Sequence, residues 1–493
     1  MKYFDLSKLC TLLALAVLAS IFLTLSARSV WLDEAMLLKN IIEISNPADF
    51  AAPLPYYDQA EPVLASVFFK AVMSVFHYDI RALRLSVLGL SLLMVAPIAL
   101  LFRQQRWGLF VFLVALIGNS FSTGFHFTEL KFYFLEMSGS FLAMLAIREA
   151  EEHQDIYWTL LVAALVSLLG FSTLLIAGGL LGYACVWYVT RDDGTQRGYK
   201  LSGFVLASAC VVLSYVYMKY LTMYQIGNYS TYAAATHLDA LKSVLNALLG
   251  AYGKALMIVS VIASVTLLFV GKRGYLYNLN LFFCALVGVV IVGKVVGFYP
   301  ATYPRHVLWL VPMSLVISTF AILLFVRSPR LPLKALGWVM LLLLGLQAGK
   351  ACYNNLGGET YQYTDNNQLF QYLSQMPASD ILVHPNAQPS LEYYQLLDPG
   401  LNKHHFFGDS DETTHRRDPT LEMTTLSNDI DRVLAERPSN SVYFLTSHLD
   451  LQPGETGVGN LMQRELDQYH CTYTSVLSVT DAELLHLNCR DAL

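Results

Sequence analysis

The chain has 493 residues, of which 55% are hydrophobic and only 14% charged, and its formal net charge is -5. Soluble domains carry about one quarter charged residues, so this composition excludes an ordinary soluble globule and points to a polytopic membrane protein. It holds no polybasic tract of the kind that binds nucleic acid.

A bilayer admits only helices or a closed barrel, because every backbone polar group there must be satisfied within the protein. The apolar runs are continuous rather than alternating, which selects helices. Lys2 and Lys8 precede the first run, Cys10 to Ala27. Leu25-Ser26-Ala27 has the small residues of a signal-peptide cleavage site, but the run is long enough to span and reads as an uncleaved anchor. A long first loop follows, from about Arg28 to Ile80, carrying Asp33, Glu34, Pro53, Pro55, Tyr56, Tyr57, Asp58 and Glu61. Within it, Pro62 to Phe76 is apolar but short, and reads as a helix lying in the membrane interface.

Further spans are expected at Leu83–Phe102, Trp107–Phe121, a fourth ending at Ile147, Tyr157–Leu169, Leu174–Val189, Leu201–Tyr217, Leu248–Val270, Leu276–Phe298, Val307–Val326 and Leu333–Gly349. That makes about eleven at the usual length of ~20 residues. Between the third and fourth lies a short polar hairpin, His126 to Glu136. With the N-terminus in the cytoplasm, the short cytoplasmic ends hold Lys2/Lys8, Arg103/Arg106, Arg148, Arg191/Arg197/Lys200, Lys272/Arg273 and Arg327/Arg330/Lys334, as the positive-inside rule requires. The opposite side receives the first loop, the hairpin, Met218 to Asn246, Phe298 to His306 and everything after Lys350.

The residues from 351 onward form a second unit by composition, expected to be a small extracytoplasmic α/β domain. Helices are expected at Leu369–Met376, Leu391–Leu397 and Leu461–Tyr469, and strands at Asp380–His384, Asn440–Thr446, Ser475–Val479 and Glu483–Asn488. Asn402–Pro419 is polar and turn-rich. Of the seven cysteines, Cys10, Cys185, Cys210 and Cys284 lie in apolar spans, while Cys352, Cys471 and Cys489 lie in the polar part. A Cys471–Cys489 disulfide is open to form if that part faces an oxidising compartment. His384, His404, His405 and His415 match no standard metal-ligand spacing.

On this topology, acids and bases gather on one face: Asp33 and Glu34, then Glu129, Lys131, Tyr133 and Glu136, then Tyr299, Tyr303, Arg305 and His306. Lys and Arg there can hold a phosphate, and a carboxylate can act as general base toward a hydroxyl. Each has a plainer reading. Asp33 and Glu34 can open the next helix, Lys131 can snorkel to the interface, Glu136 can pair with Lys131, and Arg305 can anchor the following span. Glu129 and Glu136, seven apart, can share a helical face.

The pattern resembles the GT-C integral-membrane glycosyltransferases, in the branch of the protein O-mannosyltransferases and the lipid A aminoarabinose transferases. Asp33-Glu34 after the first span is similar to that family's first-loop acidic pair. Pro53-Leu54-Pro55-Tyr56-Tyr57 before an interfacial helix resembles its Pro-Pro-Leu-Tyr segment, and Arg84-Leu85-Ser86 its Arg-Leu-Pro-Ser. Glu129-Leu130-Lys131-Phe132-Tyr133 resembles the Glu-x-Arg/Lys-x-Tyr hairpin, and Arg305 with Pro312 the late Arg-Tyr-x-x-Pro region. The likeness covers residues 10–350 and is best before 150.

The resemblance implies a polytopic helical GT-C-like membrane domain (1–350) with a periplasmic α/β domain (351–493), in a bacterial inner membrane. It implies a polyprenyl-phosphate-linked sugar donor, and a glycan, lipid or protein acceptor. Asp33 is then the general base, with Glu34 beside it. Lys131, Tyr133, Arg305, His306 and Arg84 face the donor phosphate, and Glu129, Tyr56 and Tyr57 face the sugar or acceptor. With no DxD pair in the first loop, no metal is assigned, although a divalent ion is compatible. Two other classes fit the same residues. A transporter or flippase of a lipid-linked sugar would use the outer acids as a gate, although such proteins carry mid-membrane charge, of which the central parts of these spans are nearly free, Lys294 being the clearest borderline case. A non-catalytic scaffold would use the tail to recruit partners.

Overall fold

The computed structural model describes residues 6–57, 59–102, 105–120, 123–191, 197–223, 236–270, 274–356, 364–384, 386–407, 441–447 and 471–489. The chain is a polytopic, mostly helical membrane protein with a small C-terminal sheet. Its contacts divide it into two compact units. The first comprises Met1–Ser26, Glu61–Phe68 and Arg84–Thr360, and the second Ala27–Ala60, Phe69–Leu83 and Tyr361–Leu493. Packing therefore groups most of the first loop with the C-terminal residues.

Among the described residues, seven helices of the first unit are long and apolar enough to cross a bilayer: Leu6–Ser26, Thr173–Thr190, Tyr199–Leu221, His237–Phe269, Tyr275–Val295, Leu308–Val326 and Leu331–Leu356. Each coincides with an expected span. The other expected spans fall on Ile80–Val95, Gly108–Gly118, Tyr133–His153 and Tyr157–Val166. These are either shorter than 18 residues or, in Tyr133–His153, interrupted by Glu136, Arg148, Glu149, Glu151 and Glu152. The expected interfacial helix is present as Val63–Phe76.

One helix is broken inside an apolar run. In His237–Val270, Gly253 has φ 69° and ψ 160°. Gly253 tolerates this backbone because it has no Cβ, and an added one would come 3.0 Å from Gln347 Nε2. The break frees backbone groups that hydrocarbon cannot satisfy. Gln347 satisfies them: its Oε1 accepts from Ala255 N at 3.0 Å and Leu256 N at 3.2 Å. Its Nε2 donates to Gly118 O at 2.8 Å and Tyr252 O at 3.4 Å. One amide thus ties three helices at the kink. Small residues allow the other helices to approach closely. Gly337 packs where a Cβ would lie 2.7 Å from Val326 N, and Gly250 seats Pro304.

The second unit contains a five-stranded mixed sheet of order β2-β1-β3-β5-β4, with β1 Asp380–Val383, β2 His405–Phe407, β3 Ser441–Ser447, β4 Cys471–Val479 and β5 Ala482–Cys489. β1 pairs in parallel with β2 and β3, while β5 runs antiparallel to β3 and β4. Helices Asn366–Gln375 and Gln388–Leu397 complete the α/β pattern. The strands expected from residues 380, 440, 475 and 483 are all present. β2 is additional, and lies in the stretch expected to be turns. The expected helix Leu461–Tyr469 and most of Asn402–Pro419, with His415, fall outside the described residues. Cys471 is disulfide-bonded, and the strand register sets Cys489 opposite it.

The helix Leu32–Glu43 belongs to this unit. Its apolar face, Leu37, Leu38 and Ile41, is fully buried, and it packs against Gln388–Leu397. Lys39 adds an ion pair to Glu392 at 3.2 Å. The start of this helix is held by the C-terminal residues. Ser29 Oγ donates to Asp365 Oδ1 at 3.1 Å and accepts from Asn367 N at 3.0 Å, and Asn366 Nδ2 donates to Val30 O at 2.8 Å.

Candidate functional site

The sequence candidates fall into two groups, one in each unit. In the second unit, Trp31 precedes the helix Leu32–Glu43, so Asp33 and Glu34 occupy its first turn, where the helix dipole favours negative charge. The two acids differ in surroundings. Glu34 is fully buried. Its Oε1 lies 3.4 Å from the buried Arg28 guanidinium, and its Oε2 accepts from Trp31 N at 3.4 Å. Neighbouring Asp33, turned about 100° around the helix, is only partly buried and reaches solvent. The pair therefore separates into an acid held inside by a cation and a backbone N–H, and one presented outward.

The loop bearing Tyr56 and Tyr57 is fastened to the same helix. Asn40 Oδ1 accepts from Tyr56 N at 2.9 Å, and its Nδ2 donates to Tyr56 O at 3.0 Å. The ammonium of Lys39 sits 5.4 Å from the centre of the Tyr56 ring. Tyr57 is buried with φ 60°. At the far end of the helix, Lys70 Nζ donates to Ile41 O and Ile42 O, at 3.2 and 2.9 Å.

In the first unit, Glu129 and Lys131 lie in the turn between the short helix Thr123–Phe127 and the helix Tyr133–His153. Both are buried. Glu129 Oε2 pairs with His126 Nδ1, and the His126 ring meets Tyr133 edge-on at 5.3 Å between centroids. Glu136 is one turn into the helix, so Glu129, ahead of the helix start, does not share its face. Glu136 Oε1 accepts from Ser172 N at 2.7 Å. Ser172 Oγ bonds Tyr299 OH at 3.0 Å, and that hydroxyl donates to His306 O and accepts from Trp309 Nε1 at 2.9 Å. The hairpin, the turn at Ser172 and the loop before Leu308 are thus one hydrogen-bonded network.

His306 serves that loop internally. Its Nδ1 lies 2.7 Å from Pro300 O. Burial, and then the adjacent Arg305 charge, push its pKa down to about 3, so it is neutral at ordinary pH. Arg305 is partly exposed, with its guanidinium 5.1 Å from the centre of the Tyr303 ring. Arg84 is fully buried. Lys294, the charge expected nearest mid-membrane, sits at the end of its helix and donates to Thr302 Oγ1 at 2.7 Å.

Two residues here carry no role in the sequence reading. His126 is one: its i, i+3 spacing to Glu129 was the available signal. Glu61 is the other, a carboxylate immediately before Pro62 at the start of the helix Val63–Phe76. It is 3% exposed, and neither carboxylate oxygen has a hydrogen-bond partner among the described residues. Burial, opposed by the charge of Lys131 and reinforced by Glu136 and Glu129, raises its pKa well above the usual carboxylate value.

Among the described residues, the group of acids and histidines that brings three ligand atoms within 4.8 Å is Glu149, Glu152 and His153, largely exposed at a helix end. Glu149 Oε2 there already lies 3.2 Å from His153 Nε2. The tail histidines are dispersed: His384 Nδ1 accepts from Asn386 N, His404 Nε2 meets Leu373 O, and His405 pairs with Asp380. No protein-family model matches the chain, and no curated protein matches it.

Proposed function

We propose that this protein is an integral-membrane glycosyltransferase that moves a sugar from a polyprenyl-phosphate carrier to an acceptor hydroxyl, on the extracytoplasmic side of a bacterial inner membrane. The observation that carries the reading is the division of labour between Asp33 and Glu34. A general base must reach its substrate, and Asp33 is the solvent-reaching acid of the pair. Glu34, locked by Arg28 and Trp31 N, fixes the turn that presents it. In this mechanism Asp33 takes the acceptor's proton as its oxygen attacks the anomeric carbon. The bond from that carbon to the phosphate oxygen breaks, and the lipid phosphate leaves with the electron pair. Lys131 and Arg305, with Arg84 and Tyr133, stabilise the charge that develops on the phosphate. By the motif resemblance, Glu129, Tyr56 and Tyr57 are assigned to the sugar or acceptor.

The disulfide at Cys471 supports an oxidising compartment for the tail, in line with a cytoplasmic N-terminus, about eleven spans and a periplasmic α/β domain. The resemblance to the GT-C branch rests on the motifs alone. The test is reconstitution with a polyprenyl-phosphate sugar and a hydroxyl acceptor. Asp33→Asn abolishes transfer while the protein still folds and inserts; full activity in that variant removes the base assignment. Protein that carries the donor across vesicles without ever glycosylating an acceptor is a transporter instead.

A further inference from the structure

Glu61 of the first unit is a buried carboxylate. A carboxylate withdrawn from water and left without a hydrogen bond is costly to keep. Here both oxygens are in that state, and Glu129 Oε1 is a third buried carboxylate oxygen without a partner among the described residues. These acids act on one locality, since Glu61 interacts electrostatically with Lys131, Glu129 and Glu136. Glu61 thus lies within electrostatic reach of one ammonium and two further carboxylates.

We propose that Glu61, with Glu129, is the sugar-recognising end of the site and accepts hydrogen bonds from hydroxyl groups of the donor's sugar ring. This rests on the glycosyltransferase reading above. The chemistry favours hydroxyls over the alternatives. A divalent cation needs converging ligand atoms, and among the described residues these acids do not bring three within 4.8 Å of one another. A hydroxyl both donates and accepts, so it satisfies Glu61 whether the carboxyl is ionised or protonated. The sugar carbon bonded to phosphate lies next to ring hydroxyls, so a phosphate on Lys131 brings those hydroxyls toward Glu61, which interacts electrostatically with that ammonium.

The experiment measures binding to the full-length protein in nanodiscs, with decaprenyl phosphate as one probe and decaprenyl-phosphate glucose, mannose and arabinose as the others. Wild type is expected to bind at least one sugar-bearing lipid about 10-fold more tightly than decaprenyl phosphate, as one or two hydrogen bonds to a buried carboxylate supply. Glu61→Gln and Glu61→Ala are expected to abolish that sugar-dependent increment and leave decaprenyl phosphate binding within about twofold. The melting temperature of each variant without ligand checks that it is folded. Equal weakening of all the probes, or an increment that survives in both variants, overturns the proposal. So does a wild type that binds decaprenyl phosphate with no increment for any sugar, and the donor reading then survives without this subsite. Binding of none of the lipids defeats the glycosyltransferase reading itself, and the subsite with it. A manganese- or magnesium-induced rise in melting temperature that vanishes in Glu61→Gln overturns it in favour of a cation site.

Discussion

The guanidinium of Arg28 lies 3.4 Å from the carboxylate of Glu34, with both side chains almost completely withdrawn from solvent. Removing one partner of such a buried pair strands the other charge, which costs about 3–5 kcal/mol. Arg28→Ala is therefore expected to lower the melting temperature strongly, and Glu34→Gln less, since its amide oxygen still accepts from Trp31 N. Asp33→Asn, at a partly exposed position, is expected to lower it less than Arg28→Ala. Thermal unfolding of the three variants in one detergent checks this order. Equal melting for Arg28→Ala and wild type sinks the claim that the pair holds the turn.

Gln347 satisfies both strands of the broken helix at Gly253. Gln347→Leu leaves two N–H donors and two carbonyls short of a partner, and is expected to destabilise by about 2–4 kcal/mol. Gly253→Ala forces a Cβ onto a left-handed φ, at about 1–2 kcal/mol. Unfolding in SDS–detergent mixtures measures both. A Gln347→Leu variant as stable as wild type shows that the kink has another support.

Asn40 holds Tyr56 by two hydrogen bonds. Asn40→Ala is expected to cost about 1–3 kcal/mol and to speed cleavage of the 44–60 loop by added protease. Asn40→Asp, which keeps the acceptor for Tyr56 N, is expected to recover part of the protection. Unchanged cleavage kinetics in Asn40→Ala count against the clamp.

His384 gives the C-terminal domain an acid-sensitive point. Its burial lowers its pKa from the ordinary 6.5 to about 4. Between these values the unfolded chain binds a proton that the folded chain refuses, so stability rises with pH across that window. The contribution is complete above about pH 6.5 and is lost as the pH falls toward 4, at a little over 1 kcal/mol per pH unit. Hydrogen exchange of the β1 amides from pH 7 to 4 follows it. His384→Gln is expected to flatten the acid limb, and an identical limb in that variant excludes His384 as its source.

Reductant tests the bond at Cys471. Breaking it is expected to cost about 2–4 kcal/mol, seen as lost amide protection in β4 and β5 while the membrane helices stay intact. Cys471→Ser should behave as reduced wild type and respond no further to reductant.

Much of the architecture is written locally. A continuous apolar run has one permitted form in hydrocarbon, so Leu6–Ser26, Tyr275–Val295 and Leu308–Val326 were legible from hydropathy. Strands β1 and β3 were legible because their residues are largely apolar and partly β-branched, and β5 because apolar and polar residues mix in a short run after a polar turn. β2 was not, because three residues, His405-Phe406-Phe407, form a strand only beside β1. Gly253 was silent for a similar reason: a glycine in an apolar run reads like any other until Gln347, 94 positions later, supplies the polar groups that allow a break. The candidate acids and bases were visible as residue types near span ends. Their environments were decided by tertiary structure alone, because solvation and ion pairing depend on what folds against a side chain. The sequence by itself cannot distinguish Asp33 from Glu34. Packing does so, by enclosing one with Arg28 and leaving the other partly exposed, and in the same way it buries Glu61 with no hydrogen-bond partner among the described residues.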